Sequence, residues 1–244
     1  MKSSLSLPRI EYLPTVLIPA LIGIYTSTNG LLSQIPSLIG WSFLALGQNL
    51  LNDFFDKDRK LEVGKRSLMF LTVVFTLFAL PLFKLNFLII YPLLFLVLNI
   101  VYNWKLKKIG LLDIIVLAIA YSALPYLFYA DNFDWVFFSA LVIGGFGIEL
   151  IHEWFDQDAT YKLLKNKALH LARISIGLAI IFLFYKILIL KDAFFFLPMI
   201  LIFIFIEIFL FLSIRPKNLR LLGIYTFWSA IFYAVAFFII MNKL

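Results

Sequence analysis

The sequence predicts an all-α integral membrane protein with nine transmembrane helices. Hydrophobic residues make up 63% of its 244 positions and charged residues 14%, whereas a soluble domain has about 45–50% apolar residues. The basic residues lie mostly in short loops between long apolar runs, which is typical of polytopic membrane proteins. No linker rich in Ser, Gly or Pro interrupts this pattern. We therefore expect a single transmembrane domain over residues 1–244.

Nine apolar runs are long enough to cross a bilayer, which takes about 20 residues and roughly 17 at the short end. They cover residues 10–28, 31–51, 68–83, 85–103, 109–130, 135–155, 169–190, 194–214 and 221–241. Prolines within or near these runs are tolerated where neighbouring helices satisfy the freed backbone groups. Only Lys84 separates the third and fourth runs. If these two runs formed one helix, the count would be eight.

The distribution of lysine and arginine predicts the orientation. With nine helices, one side of the membrane holds 17 of the 21 basic residues, and the other side holds Lys84, Lys186, Lys191 and Lys243. Cytoplasmic loops carry the excess of basic residues, so we expect the N-terminus on the cytoplasmic side. The same rule explains the net charge of +7. The expected surroundings are therefore the lipid bilayer, and no nucleic-acid partner is expected.

Two acidic segments interrupt the apolar pattern, QNLLNDFFDKDRK from Gln48 and GIELIHEWFDQDA from Gly147. Three carboxylates of the first segment recur one hundred positions later in the second: Asp53, Asp56 and Asp58 correspond to Glu153, Asp156 and Asp158. We therefore expect two pseudo-repeated halves with motifs at 49–68 and 149–169. With nine helices, both segments end helices on the cytoplasmic side, whereas eight helices would place them on opposite faces.

Each acidic segment forms a polar stripe on one helix face, because positions i, i+3, i+4 and i+7 face the same way. The stripes consist of Asn49, Asn52, Asp53 and Asp56, and of Glu149, His152, Glu153 and Asp156. Inserting an Asp near the membrane centre costs roughly 2.5–3.5 kcal/mol, and the C-terminal end of a helix is already partly negative. A cation has to compensate. Oxygen ligands without Cys favour Mg²⁺.

Basic residues surround the same cytoplasmic end: Lys65, Arg66, Lys105, Lys107, Lys108, Lys162, Lys165 and Lys167. Paired carboxylates, an implied metal and a cationic rim fit a diphosphate that is bridged to the protein through Mg²⁺. The positive-inside bias would also place lysines there. The acidic stripes are therefore the stronger part of this prediction.

Five blocks of the sequence resemble the UbiA superfamily of intramembrane prenyltransferases. NDFFDKD and ELIHEWFDQD are similar to that family's NDxxDxxxD and KDxxDxxxD motifs. GKRSL at 64–68, VYNWKLKKIGLLD at 101–113 and NKALHLARISIG at 166–177 resemble its GKRPL-type, YSxxxK-containing and KTLP-type segments. The blocks occur in the family's order over most of the chain. The resemblance implies helices around a central cavity that opens near the cytoplasmic side.

The resemblance also implies roles for individual residues. The metal ligands would be Asn52, Asp53 and Asp56 for one Mg²⁺, and Glu153 and Asp156 for another. The substrate contacts would be Lys65, Arg66, Lys107 and Lys167 at the phosphates, with Tyr102 near the reacting carbon and Asn49 as a further contact. His152 stands where the family has Lys, and is interpreted as a phosphate contact, a proton acceptor or an orienting group. Asp53, Asp56, Glu153, Asp156 and Tyr102 form the catalytic set.

The sequence departs from the family at the third carboxylate of each motif, which falls at Lys60 and Thr160. Asp58 and Asp158 are the candidate replacements. They lie five residues after Asp53 and Glu153, which is about 140° off the shared face of a continuing helix. They can bind metal only if each helix ends near Asp56 and Asp156.

The predicted function is transfer of an isoprenyl group from a polyprenyl diphosphate to a small acceptor, expected to be aromatic or a quinone precursor. Metal-assisted loss of diphosphate would give an allylic cation that the acceptor captures. The alternatives are a UbiA-type terpene cyclase, a membrane transporter and a non-catalytic paralogue. Transporter sites lie near the bilayer midplane, which disfavours that alternative for clusters at one surface.

Further carboxylates lie outside these clusters. Asp113 is interpreted as a capping or snorkelling residue, or as a functional one, and Glu207 as a buried protonated acid. The polar residues of the opposite loops are interpreted as solvated: Asp131, Asn132, Asp134 and Asp192.

Overall fold

The protein is a bundle of helices in the computed structural model, which describes residues 10, 13–55, 64–83, 86–156, 159–189, 197, 200–201, 204, 208 and 228–239. The helices are α1 (Pro14–Tyr25), α2 (Leu31–Phe55), α3 (Lys65–Ala79), α4 (Ile90–Trp104), α5 (Leu111–Ala118), α6 (Leu124–Tyr129), α7 (Trp135–Asp156), α8 (Ala159–Leu164), α9 (Lys167–Ile189) and α10 (Trp228–Ile239). Asp56, Asp58, Lys60, Asp158, Asp192 and Glu207 lie outside the described residues, as does the side chain of Asp156.

Five helical segments of the described chain are long and apolar enough to cross a membrane: Lys65–Leu82, Phe87–Trp104, Leu111–Tyr129, Trp135–Trp154 and Lys167–Ile189. The helices α1 and α10 are apolar but shorter, and α2 carries the first polar stripe. The helical class is confirmed, while the number of nine spans stays a prediction. The third and fourth apolar runs are separate helices, since α3 continues into a 3₁₀ turn at Leu80–Leu82 and the next 3₁₀ turn begins at Phe87.

The fifth apolar run is one helical segment with a wider turn in its middle. A π-helical turn at Ile119–Ala123 joins α5 to α6, and Pro125 lies in the first turn of α6. The proline lacks an N–H group, so it cannot continue the regular hydrogen-bond ladder. This turn packs closely on α7, because a Cβ added at Gly145 would lie 2.5 Å from Ser122 Oγ. A small residue at this interface allows the two helices to approach.

The helices form two large packed pairs, α2 with α3 and α7 with α9. Between them, α1 packs on α6, α2 packs on α4, and α5 packs on α7. Trp41 of α2 is fully buried and lies edge-on to the rings of Phe83, Phe95 and Phe128 at 5.6, 5.5 and 5.9 Å between centroids. This aromatic cluster fills the space between α2, α4 and α6.

The outer end of the bundle, defined by residues 26–30, 82–83, 86–88 and 130–134, is held by hydrogen bonds that these loops make. Asp131 accepts bonds from the backbone N–H and the hydroxyl of Thr28, both at 2.6 Å. Asp134 caps α7 by accepting from the N–H groups of Val136 and Phe137 at 2.9 and 3.2 Å. Asp134 also pairs with Lys186 of α9.

Asp131 is exposed, as the interpretation of these loop residues as solvated predicts, and it also joins two loops. Asp134 is instead half-buried, because it caps α7 and pairs with Lys186. A cavity of about 290 Å³ lies at this end, lined by Ser33, Gln34, Ser37, Phe128, Tyr129 and other residues.

Candidate functional site

The two acidic segments lie at the same end of the bundle. The Thr28–Asp131 hydrogen bonds place the start of α2 beside the start of α7, so both helices run away from the outer end. Their C-terminal ends, with Asp53 and Glu153, therefore reach the opposite end. We call this the inner end, and it also carries the first residues of α3, α5 and α9.

Asp53 and Glu153 are both buried, with 3% and 6% of their surfaces exposed. A buried ionised carboxylate is stable only when it is paired or coordinates a cation. The last turns of α2 and α7 contain no basic residue within the helix, and the partial negative charge of a helix C-terminus adds to the unfavourable field. The positive charge has to come from other segments or from a ligand.

The first cluster receives one lysine from the connection between α4 and α5. Lys107 Nζ donates a hydrogen bond to Asn52 Oδ1 at 3.2 Å. Lys65, the first residue of α3, lies 5.8 Å from the ring centroid of Phe54. Lys65 and Lys107, two of the four predicted phosphate contacts, are therefore next to the polar stripe of α2.

The second cluster has a different chemical character. His152 Nδ1 lies 3.5 Å from a carboxylate oxygen of Glu149, one turn earlier on α7. The side chain of His152 is 36% exposed and that of Glu149 is 19% exposed. This contact holds the His152 ring against Glu149 on the polar stripe of α7. It supports an orienting role for His152 more directly than a phosphate contact.

The connection between α4 and α5 joins the surroundings of the two clusters. Lys107 contacts α2, while a Cβ at Gly110 would lie 3.3 Å from Leu163 of α8, the helix that follows α7. Gly110 has a φ of 70°, a conformation that glycine adopts without steric cost. This connection therefore contacts both α2 and α8 at the inner end.

The start of α5 contains one more buried carboxylate. Asp113 is fully buried and its Oδ1 accepts from the N–H of Ile114 at 2.6 Å. An acidic residue in the first turn is favourable for the helix dipole. The capping interpretation of Asp113 therefore agrees with its position.

Basic residues also occupy the first turns of α3 and α9. Lys65 and Arg66 begin α3, Lys167 begins α9, and neither first turn contains an acidic residue. Cations at a helix N-terminus are unfavourable for the helix by about 0.3–1 kcal/mol each. Their charge and the helix N-terminus both attract an anion. Arg66 and Lys167 are exposed, and no described contact joins them to the acidic clusters.

The described residues fit a hard divalent cation in part. Asp53 and Glu153 provide buried carboxylates and Asn52 provides an amide oxygen, which are the ligand types that Mg²⁺ takes. No group of three His, Cys, Asp or Glu that could hold a metal occurs among the described residues. The remaining predicted ligands, Asp56, Asp58, Asp158 and the Asp156 carboxylate, lie outside the described part.

Comparison with solved structures identifies the fold. A structure of a UbiA homologue from Archaeoglobus fulgidus bound to GPP and Mg²⁺ matches with a TM-score of 0.74 and 16% identity, covering 95% of this chain and 98% of that one. A structure of a UbiA homologue from Archaeoglobus fulgidus bound to Cd²⁺ matches with a TM-score of 0.68 and 16% identity, covering 93% of this chain and 98% of that one.

The chain has the UbiA fold. A digeranylgeranylglyceryl phosphate synthase matches with a TM-score of 0.59 and 18% identity, over 98% of this chain and 93% of that one. No protein-family model matches the sequence, and no curated protein matches it. The relationship is therefore seen in the fold.

Within this UbiA fold, Tyr102 is buried, with 6% exposure, in the last turn of α4. The next residue, Asn103, donates from Nδ2 to the carbonyl of Asn99 at 2.9 Å, and Asn99 donates to the carbonyl of Phe95 at 2.8 Å. Asn99, Asn103 and Gln48 are not among the predicted site residues. The sequence signal for Asn99 and Asn103 is a pair of amides four residues apart in an apolar helix, since intramembrane polar residues face the bundle interior.

Buried polar atoms without a hydrogen-bond partner cluster on this side of the UbiA fold. Among the described residues they include Gln48 Oε1, Asn49 Nδ2 and Asn103 Oδ1. Leaving such an atom unsatisfied costs about 1–3 kcal/mol. Native proteins keep few of these groups, and each requires an explanation.

Proposed function

We propose that this protein is an integral membrane prenyltransferase that binds an isoprenyl diphosphate through Mg²⁺ at the inner end. One observation carries the proposal. Two buried carboxylates, Asp53 and Glu153, occupy equivalent helix ends at one end of a fold that a UbiA homologue bound to GPP and Mg²⁺ shares. Carboxylates at helix C-termini are unfavourable for the helices themselves, so a cation beside them is expected.

The metal ligands in this proposal are Asn52, Asp53 and Asp56 on the first segment, and Glu153 and Asp156 on the second. Asp58 and Asp158 are candidates for the third carboxylate of each motif. When bound, Mg²⁺ supplies charge neutralisation for the diphosphate as it leaves. The role of the protein is to hold oxygen ligands at a fixed place inside a water-poor bundle.

The lysines and arginine bind the diphosphate directly. Lys107 is the best placed, because its ammonium group already lies 3.2 Å from Asn52 Oδ1, so a phosphate next to Asn52 is within its reach. Lys65 lies beside Phe54 at the same cluster. Arg66 and Lys167 add charge at the N-termini of α3 and α9, where backbone N–H groups also favour anions.

The apolar interior then controls the fate of the isoprenyl group. Tyr102 lies in the last turn of α4, directly before Asn103 and five residues before Lys107. Its buried ring is therefore near the expected position of the allylic carbon, where an aromatic face stabilises positive charge. Exclusion of water protects the allylic cation until the acceptor reaches it.

The acceptor in this proposal is a small molecule, aromatic or a quinone precursor, and the inner end faces the cytoplasm. The cytoplasmic orientation is supported by the positive-inside count. A terpene cyclase would use the same diphosphate site but would form product without any acceptor. The experiment below separates these functions.

The test is turnover by the purified protein in detergent with radiolabelled geranyl, farnesyl or geranylgeranyl diphosphate. Each donor is incubated with and without Mg²⁺, and with and without a panel of phenolic acceptors. Prenylated acceptor that forms only with Mg²⁺ supports the proposal. Prenyl product without acceptor identifies a cyclase, and Mg²⁺-independent turnover would contradict the metal assignment.

A further inference from the structure

The buried amides of α2 and α4 lie deeper in the bundle than the acidic motif. Gln48 is five residues before Asp53 on α2, which is about 7.5 Å along a helix. Gln48 is 2% exposed and Asn103 of α4 is 7% exposed. Both side chains are therefore inside the bundle and do not face lipid.

Two contacts fix the relative position of these helices. The Trp41 and Phe95 rings lie 5.5 Å apart, and Lys107 Nζ lies 3.2 Å from Asn52 Oδ1. Gln48 comes seven residues after Trp41, and Asn103 comes eight residues after Phe95, which corresponds to about 10 and 12 Å along the helices. Gln48 and Asn103 therefore lie at about the same level along α2 and α4.

The orientation of the Asn103 amide follows from its own hydrogen bond. Its Nδ2 donates to the Asn99 carbonyl at 2.9 Å. Reversing the amide would place Oδ1 against that carbonyl oxygen, so Oδ1 points away from its own backbone. Asn103 Oδ1 is thus a buried acceptor, and Gln48 and Asn49 each add one buried amide atom, all without a partner among the described residues.

We propose that Gln48, Asn103 and Asn49 form a neutral amide subsite that binds a hydroxyl group of an uncharged acceptor. This inference rests on the proposed prenyl transfer and names the class of its second substrate. A hydroxyl donates one hydrogen bond, which suits the Asn103 acceptor, and accepts others, which amide N–H groups can supply. A carboxylate has only acceptor atoms, so its lone pairs would face those of Asn103 Oδ1.

The position of the subsite agrees with this role. The diphosphate is held at the inner end, and its hydrocarbon chain extends toward the apolar interior. The amide subsite lies on that interior side of Asp53, at the level of the buried Tyr102. A hydroxyl-bearing acceptor bound there is on the same side as the allylic carbon.

The test measures how strongly the protein distinguishes a hydroxyl from its methyl ether. Binding of 1-naphthol and 1-methoxynaphthalene to the purified full chain is measured in detergent, with geranyl diphosphate and Mg²⁺ present. The variants are Gln48→Met and Asn103→Leu, which keep side-chain size. Thr72→Val is the matched control, because Thr72 is also buried but its hydroxyl bonds to the Leu68 carbonyl at 3.0 Å.

We expect the wild type to bind 1-naphthol about fivefold or more tightly than the ether, the ratio that a neutral hydrogen bond gives. The preference should fall below about twofold in Gln48→Met and Asn103→Leu, and persist in Thr72→Val. The melting temperature of Gln48→Met should stay equal or rise, because this change removes an unsatisfied buried atom and no described hydrogen bond. A structural role of Gln48 would lower it. Asn103→Leu also removes the bond to the Asn99 carbonyl, so its melting temperature does not test the subsite.

Equal binding of the two probes by the wild type would overturn the subsite and indicate that water alone meets these amides. Persistence of the preference in both variants, or failure of both to fold, would overturn it as well. Binding of geranyl diphosphate with Mg²⁺ is measured in parallel. If the wild type prefers 1-naphthol but does not bind the diphosphate, the subsite stands and the proposed function fails.

Discussion

The two ends of this bundle treat their polar side chains in opposite ways. At the outer end, Asp131 bonds to Thr28, Asp134 caps α7 and pairs with Lys186, and the Tyr129 hydroxyl donates to Ser37 Oγ at 3.0 Å. At the inner end, Asp53 and Glu153 are buried at unfavourable helix termini, and Gln48, Asn49 and Asn103 keep unpartnered atoms.

This difference separates residues that stabilise the fold from residues that bind a ligand in the proposed function. The outer contacts join α1, α6, α7 and α9, so their loss should reduce stability. The inner arrangement lowers stability, because buried unsatisfied groups and C-terminal carboxylates are both costly. Proteins keep such groups where function requires them. Substitutions at the two ends should therefore have opposite effects on stability and activity.

The largest effect is expected for Asp53→Asn. The substitution keeps the shape but removes the charge that holds the cation, so we expect prenyl transfer to fall about 100-fold or more, as for loss of a principal electrostatic group. The melting temperature should stay equal or rise. Initial rates at saturating Mg²⁺ and a thermal melt on the same preparation measure both quantities. A fall in melting temperature without loss of rate would reverse the assignment of the inner end.

The next effect compares one lysine from each end. Lys107→Met removes a cation beside Asn52, and we expect kcat/KM for the diphosphate to fall about 10- to 100-fold, the range for a charge-assisted hydrogen bond. Lys186→Met at the outer end should leave kcat/KM within about twofold, since a hydrogen bond far from the reacting atoms adds no discrimination. Similar losses of kcat/KM in both variants would show that charge in general, and not position, is responsible.

Stability should depend more on the outer end than on the inner end. Asp134→Ala removes both the cap of α7 and the pair with Lys186, and we expect a loss of about 1–2 kcal/mol, typical of a lost N-cap. Denaturant or thermal unfolding in detergent measures this loss. Activity below the transition should not change. Asp134→Ala with unchanged stability and reduced turnover would show that the outer end takes part in the reaction.

A smaller effect is expected at the connection between the clusters. Gly110 has a φ of 70°, so Gly110→Ala should cost about 1 kcal/mol through backbone strain. Because the same connection carries Lys107, the diphosphate affinity should fall along with the stability. Gly177→Ala is the control, since a Cβ there meets nothing within 4 Å. Loss of stability with unchanged affinity would separate the connection from the site.

The smallest effect concerns pH at the outer end. The hydrogen bonds from the Thr28 hydroxyl and N–H lower the pKa of Asp131 from its ordinary value of 3.8. A lowered folded-state pKa gives stability that is present above the ordinary pKa and is lost as the pH falls through the folded value. The exposed position keeps the contribution below about 1 kcal/mol. Thr28→Ala should therefore melt slightly lower than wild type near neutral pH, and this difference should shrink below the ordinary pKa of Asp131. A constant difference would exclude the carboxylate as its source.

The helical class could be predicted from the sequence, because long apolar runs report directly on it, while the orientation stays a prediction. Lys84 alone did not decide whether the third and fourth runs are separate helices. The structure separates them, since α3 continues into a 3₁₀ turn at Leu80–Leu82 that contains Pro81. The π turn at Ile119–Ala123 leaves no periodicity signal, since its residues remain apolar.

The candidate site could be predicted for the residues that share a face with a recognisable motif, such as Asn52 and Asp53. Gln48 and Asn103 could not, because their meaning depends on the register of α2 against α4, which only the Trp41–Phe95 and Asn52–Lys107 contacts fix. The contacts of Asp131 and Asp134 could not be predicted for a similar reason. Their partners, Thr28 and Lys186, are distant in sequence.

In the proposed function, the two acidic segments bind one isoprenyl diphosphate together through Mg²⁺. Calorimetric binding of the non-reactive geranyl S-thiolodiphosphate, with and without Mg²⁺, tests it on wild type, Asp53→Asn, Glu153→Gln and the double variant. We expect Mg²⁺-dependent binding that weakens at least about tenfold in each single variant, with the double variant little worse than either, as for residues that act as one unit. Mg²⁺-independent binding, or fully additive losses in the double variant, would contradict a shared site.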